Sequence, residues 1–143
     1  MKRVLIYVTL LLLPSPLFAQ TDQGMTDKCR ISAGPNTTYL KDHVIKLPKA
    51  ASKANLPVVK ENMYLSKGIK YRFTICNADG SAGELTVAIY DRDRKVISSY
   101  DEKSGKSYNS IDFACNKTGM YTLWYSFRDG EQGMGVGVVS LVR

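Results

Sequence analysis

Residues 111–142 alternate apolar and polar side chains in three short runs separated by two glycine-bearing turns. The first run is Ile111-Asp112-Phe113-Ala114-Cys115, and the turn Asn116-Lys117-Thr118-Gly119 follows it. The second run places Tyr121, Leu123, Tyr125 and Phe127 on one face and Thr122, Trp124 and Ser126 on the other. After Arg128-Asp129-Gly130-Glu131-Gln132-Gly133, the third run sets Met134, Val136 and Val138 against Gly133, Gly135 and Gly137. A period of two is the repeat of half-buried strands, and turn-linked runs of this length predict an antiparallel meander. The glycine stripe costs about 0.5–1 kcal/mol per residue relative to alanine, so something must compensate for it. A large ring from the neighbouring strand, Trp124, is the expected cover. The functional alternative is a shallow groove of Trp124 and bare backbone that admits a ligand.

The preceding chain reads as more sheet. Val58 to Leu65 is a predicted strand. Ile69, Tyr71, Phe73 and Ile75 line one face of another, with Lys70, Arg72 and Thr74 on its reverse. Leu85, Val87 and Ile89 alternate with Thr86, Ala88 and Tyr90, and Asp91-Arg92-Asp93-Arg94 forms a charged hairpin tip before the return to Tyr100. His43 to Leu47 predicts a brief strand and Cys29 to Ile31 a shorter one. Gln20 to Asp27 is polar and expected to fray. Lys49 to Leu56, bounded by Pro48 and Pro57, reads as a loop. Strands spaced every eight to twelve residues predict one all-β domain, an antiparallel β-sandwich or a barrel. Its core is expected over residues 58–143, with residues 20–57 as an extension carrying short strands.

Residues 1–19 have the layout of a cleaved signal peptide. Lys2 and Arg3 precede an apolar run from Val4 to Leu13, Pro14 and Pro16 break it, and Ala19 offers a cleavage site. The run is too short to span a bilayer, and no later run is long enough, so no transmembrane anchor is expected in the mature chain. Export to the periplasm or the exterior follows. The sequence holds 20 Lys and Arg against 13 Asp and Glu, for a net charge of +7. Removing Lys2 and Arg3 lowers this to +5. The basic excess is confined to residues 28–72, where ten basic residues face only Asp42 and Glu61. Such a half can meet an anionic surface or remain a solvated face. Export and the lack of a basic-aromatic run argue against nucleic acid.

Three cysteines, Cys29, Cys76 and Cys115, leave at least one outside any intrachain bridge. Three pairings are open, alongside reduced, buried thiols. The ends of two predicted strands favour Cys76 with Cys115, although Cys115 is in step with Phe113 while Cys76 is out of step with Ile75.

The spacing Leu65-x-x-Gly68-x-x-Tyr71-x-Phe73, then Leu85-x-Val87-x-Ile89-Tyr90-Asp91, Ile111-x-Phe113 and Thr118-Gly119-x-Tyr121-x-Leu123 resembles bacterial pre-peptidase C-terminal domains. More distantly it is similar to GOLD domains of secretory cargo proteins. The resemblance covers residues 65–127 and implies a jelly-roll-like sandwich acting as a non-catalytic accessory that binds substrate, sugars or proteins. One departure is that GOLD domains carry a cysteine just after the Gly-x-Tyr turn, where this chain has Leu123, Trp124 and Tyr125.

No catalytic set assembles from the residues. His43 is the only histidine, lies in no nucleophile elbow, and reads as a satisfied surface residue. Three scattered cysteines and one histidine do not make a zinc site. Asn77-x-Asp79-Gly80-Ser81 has a faint calcium-loop look but lacks the full ligand spacing, so no cofactor is expected. A small hydrolase is the least favoured reading. The expected function is a binding or accessory module of the cell envelope or extracellular space that contacts a protein partner through exposed aromatics. Trp124, Tyr90 and Tyr108 are the candidate ligand-binding residues, with Tyr100 beside them. The rival is a carbohydrate-binding module in which Trp124 and a tyrosine stack on sugar rings.

Overall fold

The computed structural model describes residues 22–143, so the leader expected over residues 1–19 lies outside them. A helix, α1 (Asp22–Ser32), precedes strands β1 (Thr37–Leu47), β2 (Val59–Leu65), β3 (Lys70–Asn77), β4 (Leu85–Asp91) and β5 (Arg94–Ser98). A two-residue ribbon, β6 (Tyr100–Asp101) with β7 (Lys106–Ser107), leads to β8 (Ser110–Ala114), β9 (Gly119–Phe127) and β10 (Gly133–Val142). The eight longer strands form two antiparallel sheets, ordered β1-β10-β3-β8 and β2-β9-β4-β5. Only β4 and β5 are consecutive neighbours; at the other connections the chain changes sheet. This is the strand order of a jelly-roll sandwich; strand spacing left sandwich and barrel open, and two separate sheets make it a sandwich.

The inner faces meet in one core. Tyr71, Phe73 and Ile75 of the first sheet pack against Leu85, Val87 and Ile89 and against Tyr121, Leu123, Tyr125 and Phe127 of the second. The Gly-x-Tyr corner has a direct cause: the Tyr121 hydroxyl donates to the Lys117 carbonyl at 2.7 Å and closes the turn before β9.

The C-terminal strands are not a meander. β8 and β10 lie in the first sheet, each beside β3, while β9 lies in the second. Turn chemistry specifies that the chain reverses, not which sheet receives it. Side-chain bulk decides here, because the glycine stripe of β10 faces inward and β9 fills it from across the sandwich. A Cβ on Gly137 would lie 2.4 Å from Tyr125 Cε1, and one on Gly133 would lie 2.4 Å from Phe127. Leu85 and the Cys76 carbonyl occupy the equivalent space at Gly135. Trp124, the expected cover, points to the other face of β9. The aromatic and glycine stripes therefore interlock only if β9 and β10 are in opposed sheets, not side by side.

The N-terminal segment also differs from expectation. Residues 22–32, read as a frayed tail and a short strand, form α1, which buries Met25, Thr26 and Cys29. Met25 and Cys29 meet Val136 and Val138 on the outer face of β10. Residues 133–139 are thus all apolar or glycine because β10 is covered on both faces. Cys29 bonds to Cys76 across a sequence separation of 47 residues, with Cα atoms 5.8 Å apart. Cys115 is a buried free thiol. The expected Cys76–Cys115 bridge fails on strand alternation: Cys76 faces outward beneath α1, whereas Cys115 joins Ile111 and Phe113 in the core. Arg72 adds a second tie, donating to the Ala33 carbonyl at 2.9 Å while holding Asp112 on β8 at 2.6 and 2.8 Å.

The extension contributes a full edge strand. β1 pairs along β10 from Thr37 to Leu47, with an irregularity between Tyr39 and Lys41. His43 is in step with Ile45 and Leu47, opposite Gly137, so it is buried rather than on the surface. Its Nδ1 lies 3.1 Å from the Tyr125 hydroxyl, and its Nε2 has no hydrogen-bond partner. Burial holds this imidazole below the usual histidine value; Lys41 acts in the same direction, while Glu61 and Asp42 oppose it. A depressed histidine binds a proton more readily when unfolded. The stability it confers is therefore complete above about pH 6.5 and is lost as pH falls below that value. Chemical denaturation between pH 7.5 and 5 should show a decline of up to about 1.4 kcal/mol per pH unit from this group. His43→Gln should remove that component, and an unchanged slope in the variant would refute the assignment.

Candidate functional site

The two outer sheet faces differ in kind. That of the first sheet carries α1. That of the second presents the even-numbered side of β9: Met120, Thr122, Trp124 and Ser126. Cross-strand partners extend this surface, with Lys60 opposite Trp124 on β2 and Ala88 opposite Trp124 on β4. Tyr64 pairs with Met120, and both are more than half exposed, at 62% and 58%. Among the described residues no helix is long and apolar enough to cross a membrane.

A groove of about 410 Å³ opens on this face. Its floor is Thr86, Ala88, Trp124 and Ser126. Ala88 is the small residue that makes depth beside the indole, and the Thr86 hydroxyl is tethered to Ser126, 3.1 Å from its carbonyl and 3.2 Å from its Oγ. One wall is the segment from Lys53 to Val58, which supplies Lys53, Leu56 and Val58. The loop is fixed where the Ala50 amide donates to the Gly130 carbonyl at 2.8 Å. Gly130 itself, at φ 70°, packs against Ala50 and Leu56.

The opposite wall comes from β5 and the β6–β7 ribbon, which supply Lys95, Ser98, Tyr100 and Glu102. Ser99 anchors this wall. It exchanges hydrogen bonds with Val87 (amide to carbonyl at 2.8 Å, Oγ accepting at 2.9 Å) and accepts one from the Tyr108 amide at 2.8 Å. Arg128 closes the end of the groove. It pairs with Glu84 at 2.9 Å, donates to Ser107 Oγ at 3.1 Å, and its guanidinium carbon lies 5.1 Å from the Tyr100 ring centroid.

Two of the three candidate residues come together here. Trp124 and Tyr90 stack with centroids 4.4 Å apart and planes 26° from parallel, and the Lys60 ammonium lies 4.0 Å from the indole centroid. Tyr100 joins them on the wall. Tyr108 is 49% exposed but is not among the residues that line the groove; its amide donates to the Ser99 carbonyl at 2.8 Å. Sequence reading missed Lys53, Ala88 and Arg128. Period-two alternation does put Ala88 and Thr86 on the Tyr90 face, which was the available signal. Nothing in the sequence placed the 48–58 loop over β9.

The remaining chemistry lies elsewhere. His43 is inside the sandwich. The Asn77 side-chain carbonyl accepts the Leu85 amide at 2.8 Å, a structural use of the segment with the calcium-loop look. Among the described residues no group of three or more His, Cys, Asp or Glu side chains is placed to hold a metal ion. Cys115 Sγ sits 3.2 Å from the Lys117 carbonyl and 3.8 Å from the Tyr121 hydroxyl, whose pKa burial pushes up to about 12. A scan against protein-family models and a search of curated proteins each returned no match.

Proposed function

We propose that this protein is an exported, non-enzymatic binding module of the cell envelope or extracellular space that holds a protein partner on the outer face of its second sheet. One observation carries the reading. The fold closes one sheet face with a disulfide-tethered helix and leaves the other open, walled and lined with aromatic side chains. A walled, concave groove that sets aromatic rings among polar and charged side chains supports a recognition site. The Cys29–Cys76 bridge fits an oxidising compartment. The only histidine is held in the core, which takes it away from groove chemistry.

A glycan is the second reading, favoured by three aromatic rings among the Thr86, Ser98 and Ser126 hydroxyls. It ranks below a protein because Tyr90 and Lys60 already lie on the indole at sugar-stacking distance. The test is photo-cross-linking in native envelope fractions, with a photoreactive amino acid in place of Thr122. One stoichiometric partner should be captured, and Ala88→Arg, which fills the floor, should reduce its yield at least tenfold. Equal yields with and without Ala88→Arg would refute the groove as the contact site.

A further inference from the structure

The second sheet's outer face has a charge asymmetry that narrows the partner's chemistry. Along β2, β9 and β4 the outward side chains from Lys60 to Tyr64, Met120 to Ser126 and Thr86 to Tyr90 include one cation, Lys60, and no carboxylate. Lys53 and Lys95 project from opposite walls, and neither has an ion pair among the described residues. Arg128 is engaged by Glu84 and by Asp129 at 3.7 Å. The groove's acids are Glu102, exposed on the same wall as Lys95, and Asp129, whose side chain is 77% exposed.

The face is also elongated. From Met120 to Ser126 is six strand steps, about 20 Å at roughly 3.3 Å per step. At one end the exposed Tyr64–Met120 pair offers an apolar seat, and at the other the lysine-bearing walls flank the indole.

We propose, building on the reading above, that the occupant is an extended acidic segment of a partner protein. It lies along β9, with an apolar side chain over Tyr64 and Met120 and carboxylates between Lys53, Lys60 and Lys95. The three lysines come from three different elements around β9, so a chain lying along β9 passes between them. A basic or uncharged segment would leave them uncompensated. Exposed ion pairs are individually weak, and their sum sets preference and salt dependence more than total affinity.

The experiment uses fluorescence anisotropy with labelled octapeptides bearing one Phe or Leu at the N-terminal third. Three sets are compared, with Glu, Gln or Lys at the remaining outward positions, at 20 and 300 mM salt. The Glu set should bind best, and its advantage should shrink at high salt. The Lys53→Glu/Lys95→Glu double variant should weaken the Glu set about tenfold and improve the Lys set. Thermal melts of this variant should match the parent, since both side chains are at the surface. Equal binding of all three sets, blocked by Ala88→Arg, would overturn the acidic preference while leaving the groove intact. Failure of every set, or binding indifferent to Ala88→Arg, would overturn the groove reading itself. Binding of oligogalacturonate but no peptide would replace the protein segment with an acidic glycan and equally overturn the proposal.

Discussion

Gly137→Ala is expected to destabilise the protein by about 3 kcal/mol, at or beyond the upper end for a single added methyl in a packed core. The new Cβ would lie 2.4 Å from Tyr125 Cε1 and 2.5 Å from its hydroxyl. The ring has little freedom to yield: Tyr125 is 1% exposed, and its hydroxyl is hydrogen-bonded to His43 on the edge strand. Gly119→Ala is the matched control. It adds the same methyl to a strand glycine with nothing within 4 Å, so it should be neutral or stabilise by up to about 1 kcal/mol. Equilibrium urea denaturation of the two variants separates lost backbone freedom from filled space, because only the second distinguishes the sites. Tyr125→Phe removes the hydrogen bond but not Cε1, so it should not rescue Gly137→Ala. Tyr125→Leu should recover part of the loss, giving a coupling of the sign that shared volume produces. Similar costs for Gly137→Ala and Gly119→Ala would mean that the aromatic stripe does not occupy the glycine stripe.

That pair of stripes also shows where sequence reading works and where it stops. Alternation located most strands of the sandwich, though only the last part of β1, and separated the two faces of β3, β4 and β9: Tyr121, Leu123, Tyr125 and Phe127 were read as one face and are the core face of β9. Period two is a local property, so it survives without knowledge of the partner. Pairing is not local. The turn at Asn116–Gly119 says only that the chain reverses, and both a meander and a sheet change satisfy it. The deciding term was volume across the sandwich, where rings fit bare backbone. That complementarity was visible in the sequence as two stripes, but it was assigned to Trp124 on the wrong face of the right strand.

The site follows the same division. Trp124 and Tyr90 were found because an aromatic on the outward side of an alternating strand has no core to enter. Tyr108 was grouped with them because sequence suggests its exposure but not its place relative to the groove. The walls were unreadable for another reason: the 48–58 loop is held by contacts to Gly130, more than seventy residues away, and no local pattern encodes such a contact. Helix α1 was missed because its residues have weak amphipathic spacing. It is stabilised by Val136 and Val138 beneath it and by the bridge to β3, which are tertiary causes.

The bridge carries the second large effect. Cys76→Ala should lower stability by about 4 kcal/mol, the loop-closure entropy expected for a closed loop of this size. In a domain this small that is a fall of roughly 15 °C in melting temperature. The enclosed loop contains all of β1 and β2, one edge strand of each sheet, so without the bridge the unfolded chain regains freedom over both edges together. The native bridge also fixes α1 over Val136 and Val138, and α1 amides should lose hydrogen-exchange protection before those of β9 or β10. Reductant should mimic the substitution in the parent protein and have no further effect on Cys76→Ala. Cys115→Ala is the decisive companion. Its thiol is free and buried in the core, so the variant should cost only the packing of one sulfur and retain the full response to reductant. Denatured, unreduced parent should titrate with one thiol per chain, and Cys115→Ala with none. Loss of the reductant response in Cys115→Ala would mean that Cys115 is a bridge partner, and α1 would then be held to the sheet by packing alone.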